Sequence, residues 1–438
     1  MITQTDIILS ELGGLYGQKV LADLGEILRY YDFYEGRGQH WRTADDLDYS
    51  PTQFITNLTK KLIKREARFM FGRTPELSVR DSGGSRLEDM QTLLDMVLED
   101  NSFPEKLMKG ARDCFIGKRV ALKLTCDGGN IGITFRPSTE FVFTPYDEDA
   151  DRLSKIIFFY QTVDEPERVN QRVWRQKYEM EDGHCFMTEG TYDGYGNLID
   201  GGEKLDTGLD FIPCRVIIND GLTGDLCGES DVAEIMANQQ HYNRLKSDDI
   251  DALRFNMFPQ RVAIDADGKS LESMKFAPGA LVDLVTDPAA GDSGEQASLE
   301  LLESKFSYDA RFEHTLNRIK EDMHELLGVP NLSLEQLQGL MQSGKSMKAL
   351  YWELTERCEE RWAVWEPALK WMCRTIFQLI KACMPDLLEI PEHYRIYCEH
   401  LYPIMEDEEE ERKLDLSEVQ AGVRSAESYR NKWQIFDN

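Results

Sequence analysis

The chain has 438 residues, enough for about two to four domains. Its 41% hydrophobic content supplies a real core and excludes a disordered chain. Fifty basic against 79 acidic side chains leave a net charge of −29, which excludes tight non-specific gripping of nucleic acid but not a surface past which DNA slides.

No apolar run approaches the roughly 18 residues of a membrane span, so no membrane role is expected. The opening MITQTDIILSELGG has neither a basic n-region nor a cleavage site, so no secretory leader is expected. Nine cysteines lie scattered from Cys114 to Cys398 without a Cys-x-x-Cys pair. That usage points to reduced thiols in a cytosol rather than to a disulfide framework or a zinc site.

Residues 1–75 are expected to be helical. Over Leu58–Phe71, Leu58, Leu62, Ile63 and Phe69 share one side, with Lys60, Lys61, Lys64, Arg65 and Arg68 around the rest. Gly72 to Pro75 ends that helix, and its cations are expected to form a solvated face. A second helical block covers 87–113. The period then changes to two: Val120, Leu122 and Leu124 alternate, Asp127 to Asn130 turns, and Ile131, Ile133 and Phe135 alternate back as a hairpin. Phe141–Tyr146, Ile156–Gln161, Val173–Met180 and Cys185–Tyr192 continue as short strands, with another turn at Tyr192 to Asn197.

From Gly228 the character shifts. Ser230 is an N-cap for a helix running to Phe258, where Pro259 stops it. A turn-rich, β-like stretch covers 260–303, and a helix covers 304–327 up to Gly328-Val329-Pro330. Residues 329–346 form a loop or short helix. A long amphipathic helix follows, with Met347, Leu350, Leu354, Cys358, Trp362, Trp365, Leu369, Met372 and Ile376 at spacings of three and four. Pro367 is expected to kink it. Tyr394–Leu401 looks strand-like. An acidic run, Glu406–Glu411, precedes a last helical segment, and Ser425–Asn438 starts another. The chain is therefore α+β and mainly helical.

Residues 339–346, GLMQSGKS, match the phosphate-binding loop of nucleotide hydrolases in form. That chemistry needs a buried strand leading in and a later strand ending in an acid that holds magnesium. PNLSLEQLQGL is not such a strand, and the residues after Ser346 are mostly helical, so an enzyme built on Gly339–Ser346 is the alternative rather than the lead. Asp147, Asp149 and Asp151 begin like a calcium loop, but Arg152 and Phe158 stand where Gly and Glu are needed. Gly228 to Val232 lacks the second glycine of a nucleophile elbow. His393, Cys398 and His400 have no fourth ligand nearby. Neither a catalytic residue nor a cofactor or metal site is expected.

The order of these signals resembles the portal proteins of tailed bacteriophages, of the long-tailed siphophage type, over roughly 25–430. The resemblance is carried by Tyr30-Tyr31-Asp32-Phe33-Tyr34-Glu35-Gly36, by Asn57, and by Phe71-Gly72-Arg73-Thr74-Pro75. It continues in Gly228-Glu229-Ser230-Asp231, Tyr242-Asn243-Arg244-Leu245, Ser247-Asp248, Gly328-Val329-Pro330 and the stretch Ser343 to Leu350. At Ser346-Met347 and Lys348 the chain departs from the family's pattern by an insertion-like shift.

The resemblance implies a portal-type fold assembled as a ring, commonly of twelve subunits, at one capsid vertex. It implies a wing (1–227), a first stem helix (228–258), a clip (259–303), a second stem helix (304–328) and a tunnel loop (329–346). A long kinked helix (347–384), a return strand to the wing (385–404) and a crown (405–438) follow. Double-stranded DNA would pass through the channel during packaging and ejection. Gln342, Ser343, Lys345 and Lys348 would face it, and Trp352, Trp362 and Trp365 would lie at subunit interfaces. Implied partners are the terminase large subunit, a head–tail connector, and the major capsid and scaffolding proteins. The location would be the virion, after assembly in the host bacterial cytoplasm. A head–tail adaptor is a further alternative, disfavoured by the length of the chain.

Overall fold

The computed structural model describes residues 14–41, 49–163, 165, 167–222, 224–257, 260–264, 286, 298–302, 309–331, 344–404, 408–423, 425 and 429–430. The chain divides into two compact units. One draws on segments 1–38, 57–237 and 321–438, the other on 39–56 and 238–320. Helix outweighs strand among the described residues, in agreement with a mixed, mainly helical chain.

The first unit opens with helices α1 (Gly14–Tyr34) and α2 (Leu58–Phe71). The Asn57 side chain accepts the Lys60 N–H at 2.8 Å and so caps α2. Leu58, Leu62, Ile63, Ala67, Phe69 and Met70 are buried, whereas Lys61, Lys64, Arg65 and Arg68 are exposed. The cations thus form the expected solvated face. The exception on the buried side is Glu66.

The helical block expected over 87–113 is two helices, α3 (Glu88–Asp100) and α4 (Phe103–Gly117). The break has a local cause. Pro104 has no N–H to continue α3 and its ring would clash with the carbonyl four residues back, so it stands in the first turn of α4 instead, and Ser102 is left-handed at φ 49. Asn101 is also committed elsewhere, donating to the Ile131 carbonyl and accepting the Ile133 N–H, both at 2.8 Å.

That contact seats the hairpin of β2 (Arg119–Asp127) and β3 (Asn130–Pro137). Asp127 pairs with Asn130 across Gly128 and Gly129, whose φ values of 56 and 89 suit the tight primed turn of a two-residue hairpin. At the start of β2, Lys118 reaches Asp23 at 2.8 Å and Arg119 reaches it at 2.6 Å, a buried clamp onto α1.

The remaining strands are β1 (Glu76–Arg80), β4 (Phe141–Tyr146), β5 (Asp149–Val163), β6 (Arg172–Glu181), β7 (His184–Tyr192), β8 (Leu198–Asp206) and β9 (Cys214–Ile218). Strands β4 to β8 form an antiparallel meander, and β9 completes the order β3-β2-β9. Strands β1, β8 and β9 are additions to the sequence reading. β8 is an edge strand with nearly every side chain exposed, so no alternation announces it.

Helix α5 (Asp231–Met257) begins in the first unit and ends in the second. Ser230 caps it, accepting the Val232 N–H at 3.2 Å while donating to the Ile116 carbonyl at 2.7 Å. In the second unit, β10 (Gln260–Ile264) pairs antiparallel with β11 (Ser298–Leu302), which gives the expected β-like stretch its ladder. Residues 265–285 and 287–297 lie outside the described residues. Within the same unit, Asn243 and Ser247 hold the 39–56 segment, accepting the Thr56 and Phe54 N–H groups at 3.0 Å each.

Helix α6 (Asp309–Leu326) carries the chain back to the first unit. The single helix expected over 347–384 is two, α7 (Gly344–Leu350) and α8 (Trp352–Cys383), separated at Tyr351 with φ −93 and ψ 10. Helix α8 stays helical through Pro367. Its stripe of Leu354, Cys358, Trp362, Trp365, Leu369, Met372, Ile376 and Ile380 is the core of the unit. The strand expected near 394–401 is β12 (Arg395–Glu399), paired antiparallel with β1. Helix α9 (Glu408–Gln420) comes last among the described helices.

Gly228 is held at φ +74, where a Cβ would lie 2.5 Å from the Lys118 carbonyl oxygen and 2.7 Å from that of Asn219. Both obstacles are backbone. Gly228→Ala is expected to cost about 1–3 kcal/mol in denaturant unfolding. Gly25→Ala, inside α1 with nothing within 4 Å, should instead gain about 0.5–1 kcal/mol.

Candidate functional site

The two ends of the segment expected to be a loop at 329–346 are both fixed in the first unit. At the lower end α6 closes with two reciprocal backbone bonds, Val329 N–H to the His324 carbonyl and Gly328 N–H to the Glu325 carbonyl, each 2.9 Å. Gly328 at φ +61 supplies the left-handed residue that this terminus requires. His324 Nδ1 lies 2.8 Å from the Val329 carbonyl; a carbonyl only accepts, so that nitrogen carries the proton. Val329 is buried.

Beyond the segment's upper end, after α7, the Tyr351 ring stacks on Phe69 at 5.3 Å, and Phe69 stacks on Tyr402 at 4.9 Å. Between the two ends lies a groove of about 610 Å³ lined by Glu321, Glu325, Pro330, Leu350, Trp352 and Glu353.

Beneath these ends is a buried cluster of charge. Arg357 and Arg361, one turn apart on α8, point at Glu66 of α2 and at Asp231 and Glu234 of α5. Arg357 Nε lies 2.9 Å from Glu66 Oε1, and its Nη2 lies 2.6 Å from Glu234 and 3.2 Å from Asp231. Arg361 reaches Glu66 at 2.9 Å and Asp231 at 2.7 Å, with its guanidinium 4.1 Å from the Phe115 ring centre. Asn219 donates to Asp231 at 3.1 Å. Arg357 also donates to the Leu326 carbonyl at 3.4 Å, tying the end of α6 to the same point.

Burial dominates the electrostatics there. It lifts the Glu66 carboxyl to about 7, Asp231 pushes the same way, and Arg361 and Arg357 oppose them. Both arginines are held above their ordinary range by the carboxylates around them, against the pull of burial. Such a cluster fixes geometry rather than performing acid–base work, since each acid faces a guanidinium that cannot give up its proton.

Among the described residues no group of three potential ligands could hold a metal ion. Burial pushes the thiols of Cys114, Cys358 and Cys373 well upward, away from nucleophilic reactivity. Every described ladder is antiparallel, whereas the phosphate-binding loop belongs to a parallel sheet.

The residues singled out from the sequence fall into three groups. Gln342 and Ser343, with 339–341, lie outside the described residues. Lys345 sits in the first turn of α7, and Lys348 lies further along it with its side chain exposed. Of the three tryptophans expected at subunit interfaces, Trp352 is 61% exposed, but Trp362 and Trp365 are 2% and 1% exposed. Those two pack on Phe71 at 5.2 and 4.9 Å, and Trp362 stacks on His400 at 4.4 Å. Their apolar area is spent inside the chain, so the interface expectation is corrected for both and stays with Trp352.

The charge cluster itself was missed. Its signal was present: Glu66 interrupts the apolar stripe of α2 between Ile63 and Phe69, and Arg361 interrupts that of α8 between Cys358 and Trp365.

The sequence matches the family model described as "Phage portal protein, SPP1 Gp6-like" over residues 17–438. The chain belongs to that family, and its role is that of a portal, part of the channel of a phage particle. No curated protein matches it.

Among solved structures, a chain from "Neck of empty GTA particle computed with C6 symmetry" is similar at 14% identity and a TM-score of 0.48. That match covers 87% of this chain and 91% of the other. A chain from "Neck of native GTA particle computed with C12 symmetry" is similar at 11% identity and a TM-score of 0.43, covering 86% and 90%.

Arg361→Met would leave Glu66 and Asp231 buried with Arg357 alone, and is expected to cost about 3–5 kcal/mol in denaturant unfolding. The raised carboxyl of Glu66 gives a pH signature. Its contribution is complete below 4.5, its ordinary value, and is lost as pH rises toward about 7. Glu66→Gln should flatten that part of the stability–pH profile; an unchanged slope would show that Glu66 is ionised throughout.

Proposed function

We propose that identical copies of this chain join head to tail into a closed ring, commonly of twelve, at one vertex of the capsid, and that double-stranded DNA enters and leaves through its bore. The observation that carries this reading is the family match over 17–438. The net charge of −29 supports it physically, because a ring multiplies that charge. A duplex threading such a ring meets like charge, does not stick, and slides in both directions, the reverse of a basic binding groove. A heterologous contact whose rotation closes gives a ring rather than a filament.

In this reading residues 1–227, with 385–404 returning, are the wing, and 228–258 and 304–328 are the stem helices flanking a clip at 259–303. The loop 329–346 faces the bore, 347–384 is the long helical segment behind it, and 405–438 is the crown. The firm anchorage of Val329 supports a loop presented from a fixed start. Lys345 and Lys348, with Gln342 and Ser343, are the polar groups nearest the passing phosphates.

The ring does no chemistry of its own. The terminase large subunit supplies the motor and docks at the clip, where the head–tail connector later binds; major capsid and scaffolding proteins surround the wing. Assembly takes place in the host bacterial cytoplasm. Trp352, exposed beside the groove, packs against the next subunit.

Reversing the charge on α7 with Lys345→Glu and Lys348→Glu should lower the amount of DNA packaged or retained per particle, read by nuclease-protected DNA; unchanged content contradicts the placing of these two lysines beside the bore. Trp352→Glu should leave the circular dichroism spectrum intact and weaken subunit association by about 2 kcal/mol or more, seen in sedimentation velocity as smaller species. An unchanged distribution would remove Trp352 from the interface.

A further inference from the structure

Helices α2 and α8 meet through their inner faces. Glu66 reaches Arg357 and Arg361 at 2.9 Å each, the Phe69 ring stacks on Tyr351, and Phe71 packs on Trp362 and Trp365. At 3.6 residues per turn, the positions farthest from these contacts lie on opposite sides of the packed pair. On α2 they are Lys61, Lys64 and Arg68, with Arg65 at the shoulder, all exposed. The one acid of that helix, Glu66, is buried, so in a chain of net charge −29 this face is purely basic. On α8 the far side carries Trp352, Glu353, Glu356, Glu360 and Val364, again all exposed. The two arginines of that stretch, Arg357 and Arg361, are turned inward to the carboxylates of the core.

We propose that the outer face of α2 is a docking surface for the outer face of α8 in a second copy of this chain, with Lys64 and Arg68 of one copy against Glu356 and Glu360 of the next. The inference rests on the ring reading above and names a contact that would join its subunits. Three features favour that occupant. The cations and the acids are each spaced four residues apart, about one helical turn, so both pairs can form at once. Trp352 and Val364 give the acidic face an apolar part, which the alkyl stems of lysine and arginine cover and where a guanidinium can lie on the indole ring. The two faces are complementary to each other but not to themselves. A two-fold dimer through either would set like charges together, whereas opposite charge on opposite sides propagates head to tail, as a ring requires.

Charge reversal tests the contact on the full chain, with assembly followed by sedimentation velocity over a dilution series. Lys64→Glu with Arg68→Glu should weaken association at least about tenfold, and so should Glu356→Lys with Glu360→Lys. Circular dichroism should be unchanged in both. The chain with all four changes restores opposite charge in the reverse sense and should regain the wild-type distribution. A readout that needs no substitution is carbodiimide coupling of the wild-type assembly, which should link Lys64 to Glu356 or Glu360 and lose that link on dilution to single chains. If the wild type assembles and the reversals leave its distribution unchanged, the inference fails while the ring reading stands. It fails equally if the four changes together do not restore assembly, if Lys64 couples only to other acids, or if α2 reversal lowers DNA retention in intact assemblies, which would assign that face to nucleic acid. A wild type that never assembles would overturn the ring reading and this contact with it.

Discussion

Two guanidinium groups carried into the core on one face of α8 set the terms for the helices around them. Arg361 comes from a stretch of helix whose neighbouring positions are Leu354, Cys358, Trp362 and Trp365, so it cannot reach water without dragging the stripe out with it; Arg357, one turn earlier, is half-buried. The charge must be matched in place. Glu66 on α2 and Asp231 and Glu234 on α5 do so at 2.6–3.2 Å. A buried ion-pair network of this kind adds little net stability over a well-packed apolar replacement. Its effect is selective: any register of α2 or α5 that moves a carboxylate off α8 leaves a bare buried charge, which is far costlier than a shifted methylene.

The same point organises the path of the chain. Helix α5 starts at Asp231 under a Ser230 cap that is bonded to Ile116, and Gly228 lets the backbone turn tightly past Lys118 and Asn219. Helix α6 ends at Gly328, where Arg357 reaches the Leu326 carbonyl. The long element that leaves the first unit and the one that returns to it therefore both meet the arginines of α8.

Much of this was legible in the sequence, and the reasons for the gaps are physical. The hairpin at Asp127 to Asn130 announced itself because two glycines supply positive φ between alternating apolar runs. The start of α5 at Ser230, the end of α6 at Gly328 and the pairing region near 394–401 were likewise written in local chemistry. The break at Asn101–Ser102 was not foreseen, because its cause includes bonds from Asn101 to a strand about thirty residues away. Strand β8 was invisible because an exposed edge carries no alternation. The tryptophans of α8 were recognised as a stripe, but periodicity gives a face and not its partner. The stripe of Trp362 and Trp365 turned out to be covered by Phe71 and by the chain's own strands, and only Trp352 is left outside. The charge cluster is hidden from any reading that assigns charged side chains to solvent, although Glu66 and Arg361 each stand in the middle of an apolar stripe.

The net negative charge and the family membership support the proposal that copies of this chain surround an open passage whose wall repels what moves through it. Single-particle electron cryomicroscopy of the purified 438-residue chain tests it most directly. The account predicts annular particles of identical subunits with a bore wide enough for a DNA duplex and an acidic lining. Compact solitary molecules, or a closed annulus whose centre is filled by folded polypeptide, would contradict it.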